Sequence, residues 1–366
     1  MIIIILLAIL AFYLLVHIFL FAGIVNNSRC PSGKNGIQPS VSIIVAARNE
    51  ESNIDRCIES LLKLDYPHDK LEIILMNDRS TDKTKEIMTS YTALNPVLKY
   101  LETSEQVGNL KGKTNALALA INKSKGEIIF TTDADILVRP TWVKEMIRYY
   151  DDDTGVISSF STINPKNIWW GIQSFDWLYL LGLAAGGNGI KLEISCIGNN
   201  MSYRRKAYEE VGGYENIKFS VTEDFMLLHT IRKKTMWSAK FPVNIDIMND
   251  TYPCKDTMEL YRQKKRWMRG GMDSDSTGIT VGIAEWLAST AVLFGWIFTD
   301  IKYYLIFVVS KIIIDAVYVL IPAVKLKLLK VYIYLLFFEM YFTIYSFLTP
   351  FILTLGGKVV WKEQKL

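Results

Sequence analysis

Residues 2–25 are apolar apart from His17, and a run of that length constrains the chain more than any other feature. A hydrocarbon core needs about 20 helical residues, so this segment is expected to cross a membrane as a helix. A cleaved signal peptide would show a basic start, a shorter apolar stretch and a small-residue cleavage site. Here the first charge is Arg29, on the far side, which marks a retained anchor and puts Arg29 and Lys34 in the cytoplasm. Three further apolar stretches, 279–299, 303–322 and 331–355, bring the expected number of spans to four. Lys311 and Asp315 lie four apart in the third, so they share a helix face and can neutralise each other. That spares a cost of roughly 2.5–3.5 kcal/mol per charge at mid-membrane. Counting spans puts Lys325, Lys327 and Lys330 in the cytoplasm and the tail 356–366, with Lys358, Lys362 and Lys365, outside. The tail breaks the positive-inside rule unless one span is re-entrant or interfacial.

Between the apolar ends, a polar linker at 26–40 leads into a globular middle at 41–277. Runs suited to buried strands, VSIIVAA (41–47), LEIILMN (71–77), VLKYL (97–101) and EIIFTTD (127–133), alternate there with helical patterns. This is the signature of a doubly wound α/β fold. Ile54, Ile58, Leu61 and Leu62 form the apolar face of its first helix, and Ala116, Leu117, Ala120 and Ile121 that of a later one. Ligands of such sheets bind beyond the carboxyl ends of the strands, where Arg48-Asn49-Glu50, Asp78, Asp133 and Asp135 fall. Residues 166–183 are rich in aromatics at helical spacing; an interfacial helix and a buried one are both open. The net charge of +4 is modest and gathers at 262–269, so nothing suggests a nucleic-acid partner. Cys30, Cys57, Cys196 and Cys254 show no close pairing and read as reduced thiols. His17, His68 and His229 are far apart, and no zinc site is implied.

Four stretches carry chemistry. Asp133 and Asp135 end a strand with alternate side chains and can offer hard oxygens to Mg²⁺ or Mn²⁺, although aspartates are also common in turns after strands. Asp224 in VTEDF is placed to accept a proton, with Thr222 as a cap; a plain helix N-terminus would carry the same residues. Gln263 and Arg266/Trp267 fall one helical turn apart, and a guanidinium matches phosphate oxygens bidentately. Five cations within 262–269 equally suit a helix on anionic lipid headgroups. Lys113 in KGKTNALALAIN can neutralise phosphate or simply be a solvated lysine at a helix start. There is no GxGxxG, Walker A loop or GxSxG, which removes the main rival α/β chemistries.

Taken in order, VSIIVAARNEESN, NDRSTDKT, KGKTNALALAIN, TTDAD, GNNMSYRRKAYEEVGGYE, TED and QKKRW resemble glycosyltransferase family 2. The resemblance covers roughly 41–271 and is to the membrane branch that includes cellulose, chitin and hyaluronan synthases and lipid glycosyltransferases. It implies a GT-A fold, a nucleotide-sugar donor such as a UDP-sugar, a divalent metal and inversion at the anomeric carbon. It also implies that Glu50 and Asp78 contact the nucleoside and that Asp133 and Asp135 serve the diphosphate and metal, with Lys113 beside the donor. Asp224 becomes the base, Gln263, Arg266 and Trp267 close over donor and acceptor, and Asn199, Asn200 and Glu223 line the acceptor side. Ala46 and Arg48 stand where the family often has Pro and Tyr, so the nucleobase contacts are less fixed. Two activities fit: transfer of one sugar to a lipid or lipid-linked acceptor, and processive synthesis of a glycan chain. About four spans leave little material for a channel, which favours the first. A sugar sensor that has lost catalysis would be expected to lose Asp224 or Asp135, and both are present.

Overall fold

The computed structural model describes residues 1–28, 38–274, 276–355, 360–361 and 364–365. Its centre is a seven-stranded sheet in the order β3-β2-β1-β4-β7-β5-β8. The strands are β1 (Val41–Ala47), β2 (Leu71–Asn77), β3 (Leu98–Glu102), β4 (Ile128–Asp133), β5 (Thr154–Ser158), β7 (Met201–Arg204) and β8 (Ser238–Lys240). The first four run parallel, which is why their sequences are continuous apolar runs: helices cover both faces. Ile43 and Ile44, neighbours on opposite faces of β1, are both fully buried. β7 is antiparallel to β4 and β5 and closes the sheet with strands of three to five residues. Such short segments carry too little alternation to be seen in the sequence. β1 and β2 coincide with the expected strands, whereas β3 and β4 begin one residue later.

Helices α2 (Ile54–Leu61), α3 (Thr84–Leu94), α4 (Gly112–Lys123) and α5 (Trp142–Ile147) flank the parallel half. Ile54, Cys57, Ile58 and Leu61 form the buried face of α2; Ala116, Leu117, Ala120 and Ile121 are buried on α4. A two-stranded parallel pair, β6 (Ser161–Ile163) and β9 (Asn249–Thr251), lies beside the main sheet. The remaining helices of this half are α7 (Arg205–Glu210), α8 (Glu223–Lys234) and α9 (Thr257–Gly271).

A long helix, α6 (Ile168–Gly189), joins this sheet half to an apolar bundle of α1 (Ile2–Asn27), α10 (Ser276–Phe298), α11 (Ile301–Tyr318), α12 (Leu320–Lys325) and α13 (Leu335–Leu355). α6 is buried along most of its length, so of the two readings of 166–183 the core helix is the one observed. It crosses α1 with the two backbones in contact. A Cβ on Gly23 would stand 1.8 Å from the carbonyl oxygen of Gly186, and one on Gly189 would stand 2.0 Å from that of Gly23. Small residues permit such an approach, which gives dispersion contacts that bulkier pairs cannot reach.

Among the described residues, three helical segments are long and apolar enough to cross a membrane: Ile2–Asn27, Gly278–Phe298 and Leu329–Thr354. The fourth expected span, 303–322, is α11 and the start of α12. It is 18 residues of helix carrying Lys302, Lys311 and Asp315, followed by a break at Val319. Those charges disqualify it on composition, yet α11 and α12 run alongside α1: Leu6 clusters with Phe307, Tyr13 Oη donates to Asp315 (2.6 Å), and Lys325 donates to the carbonyl of Ser28. Burial explains how the charges are tolerated. Lys311 Nζ lies 2.6 Å from both Asp315 Oδ2 and Glu339 Oε2, and all three side chains are almost fully enclosed. His17, Tyr179 and Glu285 complete a polar knot drawn from five helices. His17 Nε2 is 2.9 Å from Tyr179 Oη, which donates to Glu285 at 2.5 Å.

Candidate active site

The carboxyl ends of β1, β2 and β4 form one rim, and two residues there adopt left-handed backbone conformations without being glycine. Asn49 has φ 54° and so does Arg79. Such positions are sparsely populated and persist where surrounding bonds hold them. The Asn49 side chain accepts from Thr81 N–H (2.9 Å), Ser80 Oγ accepts from Asn49 N–H (3.1 Å), and Thr84 Oγ1 accepts from Glu50 N–H (2.8 Å). These cross-links fix the loops after β1 and β2 against each other and set Glu50 and Asp78 on the wall of a cavity of about 970 Å³. Asp78 is 2 % exposed, with Arg79 Nη2 3.4 Å and Arg48 Nη1 3.9 Å from its carboxylate.

Asp133 and Asp135, at the end of β4, line the same cavity. Lys113, on the first turn of α4, bridges Asp133 Oδ1 (2.6 Å) and Glu223 Oε1 (3.0 Å). Burial opposes its charge, but Asp133 and Glu223 outweigh that cost and hold the ammonium above the ordinary lysine range. Among the described residues, no three His, Cys, Asp or Glu side chains gather in a way that could hold a metal ion. The aspartate pair offers hard carboxylate oxygens, the donor type that Mg²⁺ and Mn²⁺ take alongside phosphate and water.

Across the cavity, Asp224 starts α8. Its Oδ2 accepts from Gly198 N–H (2.5 Å) and its Oδ1 from its neighbour Phe225 N–H (2.8 Å), so the carboxylate is aimed and locked. Burial first, and then the adjacent Glu223 carboxylate, push its pKa up to about 6 against the pull of Lys113 and Arg266. A Cβ on Gly198 would come within 2.9 Å of Asp224 Oδ2, so only glycine leaves room for this contact. Thr222 occupies the N-cap position but its hydroxyl makes no capping bond there. It packs against Gly270 of α9 and pairs with Ser220 Oγ at 3.2 Å instead. Thr222 therefore ties α8 to α9 rather than orienting Asp224.

Gln263, Arg266 and Trp267 all face the cavity from α9. That helix begins with a reciprocal cap: Asp256 accepts from Glu259 N–H (2.8 Å), and Glu259 accepts from Lys255 N–H (2.7 Å). α6 then holds the segment just before this helix and meets the helix itself at Lys264 and Trp267. Gln173 Oε1 accepts from Cys254 N–H (2.7 Å), Trp169 Nε1 donates to the Cys254 carbonyl (2.8 Å), and the Trp177 ring meets Trp267 edge-on at 5.4 Å. Lys264 turns inward to an ion pair with Asp176, both at most 2 % exposed. Burial pushes Asp176 up and Lys264 down in pKa. Lys264 thus leaves the basic cluster of 262–269, whose cations do not share one outward face.

Of the two expected acceptor-side asparagines, Asn199 lines the cavity while Asn200 does not. Asn200 is fully buried, and its amide is spent on structure: Oδ1 accepts from Trp142 Nε1 (2.8 Å), and Nδ2 donates to the carbonyls of Phe160 (2.6 Å) and Ile247 (2.8 Å). A side chain so committed cannot also meet an acceptor. The other expected residues, Glu50, Asp78, Lys113, Asp133, Asp135, Glu223, Asp224, Gln263, Arg266 and Trp267, converge on the one cavity.

Sequence reasoning missed the far half of that cavity. It continues beyond Trp267 between α10 and α13, along Gly278, Ile279, Gly282, Ile283, Glu285 and Trp286 on one side and Phe342, Tyr345, Ser346, Thr349 and Pro350 on the other. A lone carboxylate inside an apolar span, as at Glu285, was the available signal. Gly198 and Asp176 gave none, since each matters only through a partner distant in sequence.

Residues 42–212 match the family described as glycosyl transferase family 2, and residues 128–354 match glycosyl transferase family group 2. A β-monoglucosyldiacylglycerol synthase of Synechocystis is 28 % identical over 242 residues, 64 % of this chain and 48 % of that protein. A poly-β-1,6-N-acetyl-D-glucosamine synthase of Staphylococcus epidermidis is 23 % identical over 296 residues, 76 % and 67 % of the two chains. The chain thus spans about half to two thirds of the length of these curated relatives. Among solved structures, a Pyrobaculum calidifontis mannosyltransferase in complex with GDP-mannose and Mn²⁺ superposes with a TM-score of 0.64 at 17 % identity. That superposition covers 90 % of this chain and 99 % of that one, a likeness of fold, which is GT-A.

Proposed function

From the premise that the chain belongs to glycosyltransferase family 2, we propose that it is an inverting, metal-dependent enzyme that moves a sugar from a nucleotide-diphosphate sugar to a lipid or lipid-linked acceptor at a membrane. The observation that carries the acceptor half of this reading is the single cavity running from Asp224 and the β4 aspartates to the apolar walls of α10 and α13. A polar reaction site continuous with a hydrocarbon-compatible slot suits a substrate that is itself half polar and half apolar. The relative that makes a glucosyldiacylglycerol supports the same reading.

In this assignment Glu50 and Asp78 meet the nucleoside, and Gln263, Lys113 and Arg266 meet the diphosphate. Arg266 suits that task because a planar guanidinium pairs with two phosphate oxygens at once. Asp133 and Asp135 would hold Mg²⁺ or Mn²⁺, whose chemistry is to neutralise charge developing on the leaving diphosphate. The donor would be a UDP-sugar, with Lys113 released from Asp133 as phosphate arrives. Asp224 takes the proton of the acceptor hydroxyl as that oxygen attacks the anomeric carbon from the face opposite the diphosphate. Trp267, Asn199 and Glu223 border the acceptor. A locked base close to its working pH can contribute about 10²–10⁴-fold to the rate.

We assign 1–25 to an anchor, 26–40 to a linker, 41–277 to a cytoplasmic catalytic unit, 278–355 to a membrane region and 356–366 to a tail, with the protein in the cell membrane. Two observations support that sidedness. Arg29 and Lys34 follow α1 in sequence, and Lys325, on the basic segment 325–330, reaches Ser28 at the same end of α1. A second reading, processive polysaccharide synthesis, draws on the poly-N-acetylglucosamine synthase relative. The test is release of UDP by the detergent-purified protein with Mn²⁺ across UDP-sugars, with and without lipid extract, followed by sizing of the product. Lipid-dependent release giving one added sugar supports lipid transfer. A lipid-independent ladder of long products would replace it with the polymer reading.

A further inference from the structure

We infer that Lys264 and Asp176 are positioning residues for transfer: their ion pair, set behind the cavity wall, holds the Trp267 ring at the acceptor and ties it to the membrane half through Tyr345. This rests on the reading above, in which Trp267 borders the acceptor, and names what keeps that ring in place.

The first support is where the pair lies. Asp176 on α6 and Lys264 on α9 are 1 % and 2 % exposed, and neither lines the cavity, so substrate does not meet them. Their neighbours do line it. Trp177, next to Asp176, sets its ring edge-on against Trp267, which lies one helical turn after Lys264. The Lys264 ammonium stands 5.0 Å from the centre of the Trp267 ring and 5.0 Å from that of Tyr345 on α13. One buried cation therefore meets an aromatic wall from each part of the cavity: Trp267 from α9, and Tyr345 from the stretch between α10 and α13.

The second support is that the pair is poorly suited to stabilisation alone. Beyond the ion pair itself, neither carboxylate oxygen of Asp176 nor Lys264 Nζ has a hydrogen-bond partner among the described residues. The desolvation cost of a buried ion pair is offset only when further hydrogen bonds complete it, and packed apolar residues of similar volume often join helices as well or better. What an apolar pair lacks is direction. A cation is drawn to the face of a ring, so it constrains the plane of the ring as well as its place. In a cavity of about 970 Å³, an indole without such a neighbour has room to turn away from the acceptor.

The test compares the full-length protein with two variants. Asp176→Leu/Lys264→Met replaces both charges with apolar side chains and leaves neither unpaired, whereas Lys264→Arg keeps the cation. Measurements are made in mixed micelles with Mn²⁺ and the UDP-sugar that gives release: donor affinity, kcat and KM for transfer to dioleoylglycerol, and the fluorine-NMR line of Trp267 in fluorotryptophan-labelled protein, assigned with Trp267→Phe. The double variant is expected to match the parent in melting temperature and donor affinity, while the dioleoylglycerol KM rises about tenfold and the Trp267 line shifts or broadens. Lys264→Arg is expected to keep that KM within about threefold of the parent, because a guanidinium also seats on aromatic faces. An unchanged KM and an unmoved Trp267 line in the double variant would overturn the inference, as would an equal loss in Lys264→Arg. If the double variant does not fold, Tyr345→Leu serves instead: the ammonium loses one of its two rings, and an unmoved Trp267 line is again the overturning result. Release of UDP without any glycosylated dioleoylglycerol from the unaltered protein would count against the lipid reading, and the Trp267 line would then decide this inference by itself.

Discussion

The protein buries two groups of opposing charges, and they are built on different plans. In the sheet half, Lys113, Asp133, Glu223 and Asp224 sit at strand and helix ends around an open cavity, held by short loops. In the bundle, His17, Glu285, Lys311, Asp315 and Glu339 come from four helices and are almost wholly enclosed, with Glu285 alone of the five also bordering the cavity. The first arrangement leaves its charges reachable by substrate and proton. The second satisfies them internally, so its contribution is to fix how the helices meet. Loss of a charge should therefore cost turnover in one place and stability in the other.

The sharpest way to break that contrast is Asp224→Asn. It is expected to cut transfer by about 10²–10⁴-fold while UDP-sugar affinity and the melting temperature stay close to the parent. Equal loss of donor binding and turnover would show that Asp224 is not the base. Next, Lys311→Met should lower stability by about 3–5 kcal/mol, because Asp315 and Glu339 are left buried without their cation. Thermal unfolding in detergent reads this directly, and an unchanged midpoint would mean that the knot holds nothing together. Gly198→Ala should shift the Asp224 carboxylate and reduce kcat by about tenfold with little change in melting. The smallest effect is the pH profile. Because the Asp224 pKa lies at about 6, the base is protonated below that value, and transfer should fall about tenfold per unit beneath it and level off above. The same limb persisting in Asp224→Asn would trace it to another group, the bundle included.

Legibility in the sequence follows the same division. β1 and β2 were readable to the residue because parallel strands buried on both faces are unbroken apolar runs. The aspartates at the ends of β2 and β4 and at the start of α8 were readable because each is local to its element. Asn200 misled because it adjoins Asn199 in a motif, yet the chain turns between them and the second amide faces the core. What escaped was everything that depends on distant partners: Gly198 matters through Asp224, Asp176 through Lys264, and Tyr179 through Glu285. One-dimensional periodicity contains no information about such pairs. The short antiparallel strands were hidden for a different reason, since three to five residues cannot establish a period.

The crossing of α1 and α6 at Gly23, Gly186 and Gly189 has a consequence for how the protein is made. α1 leaves the ribosome roughly 140 residues before α6, which at ordinary synthesis rates is about 10–30 s. During that interval α1 has no α6 backbone to meet, and the notch at Gly23 stands without its partner. α6 must then find it after five of the seven strands of the main sheet have emerged. Bulky replacements at Gly23 would thus be felt at this late docking step: insertion of α1 would proceed as before, while newly made chains would accumulate with the sheet half unattached and open to proteolysis.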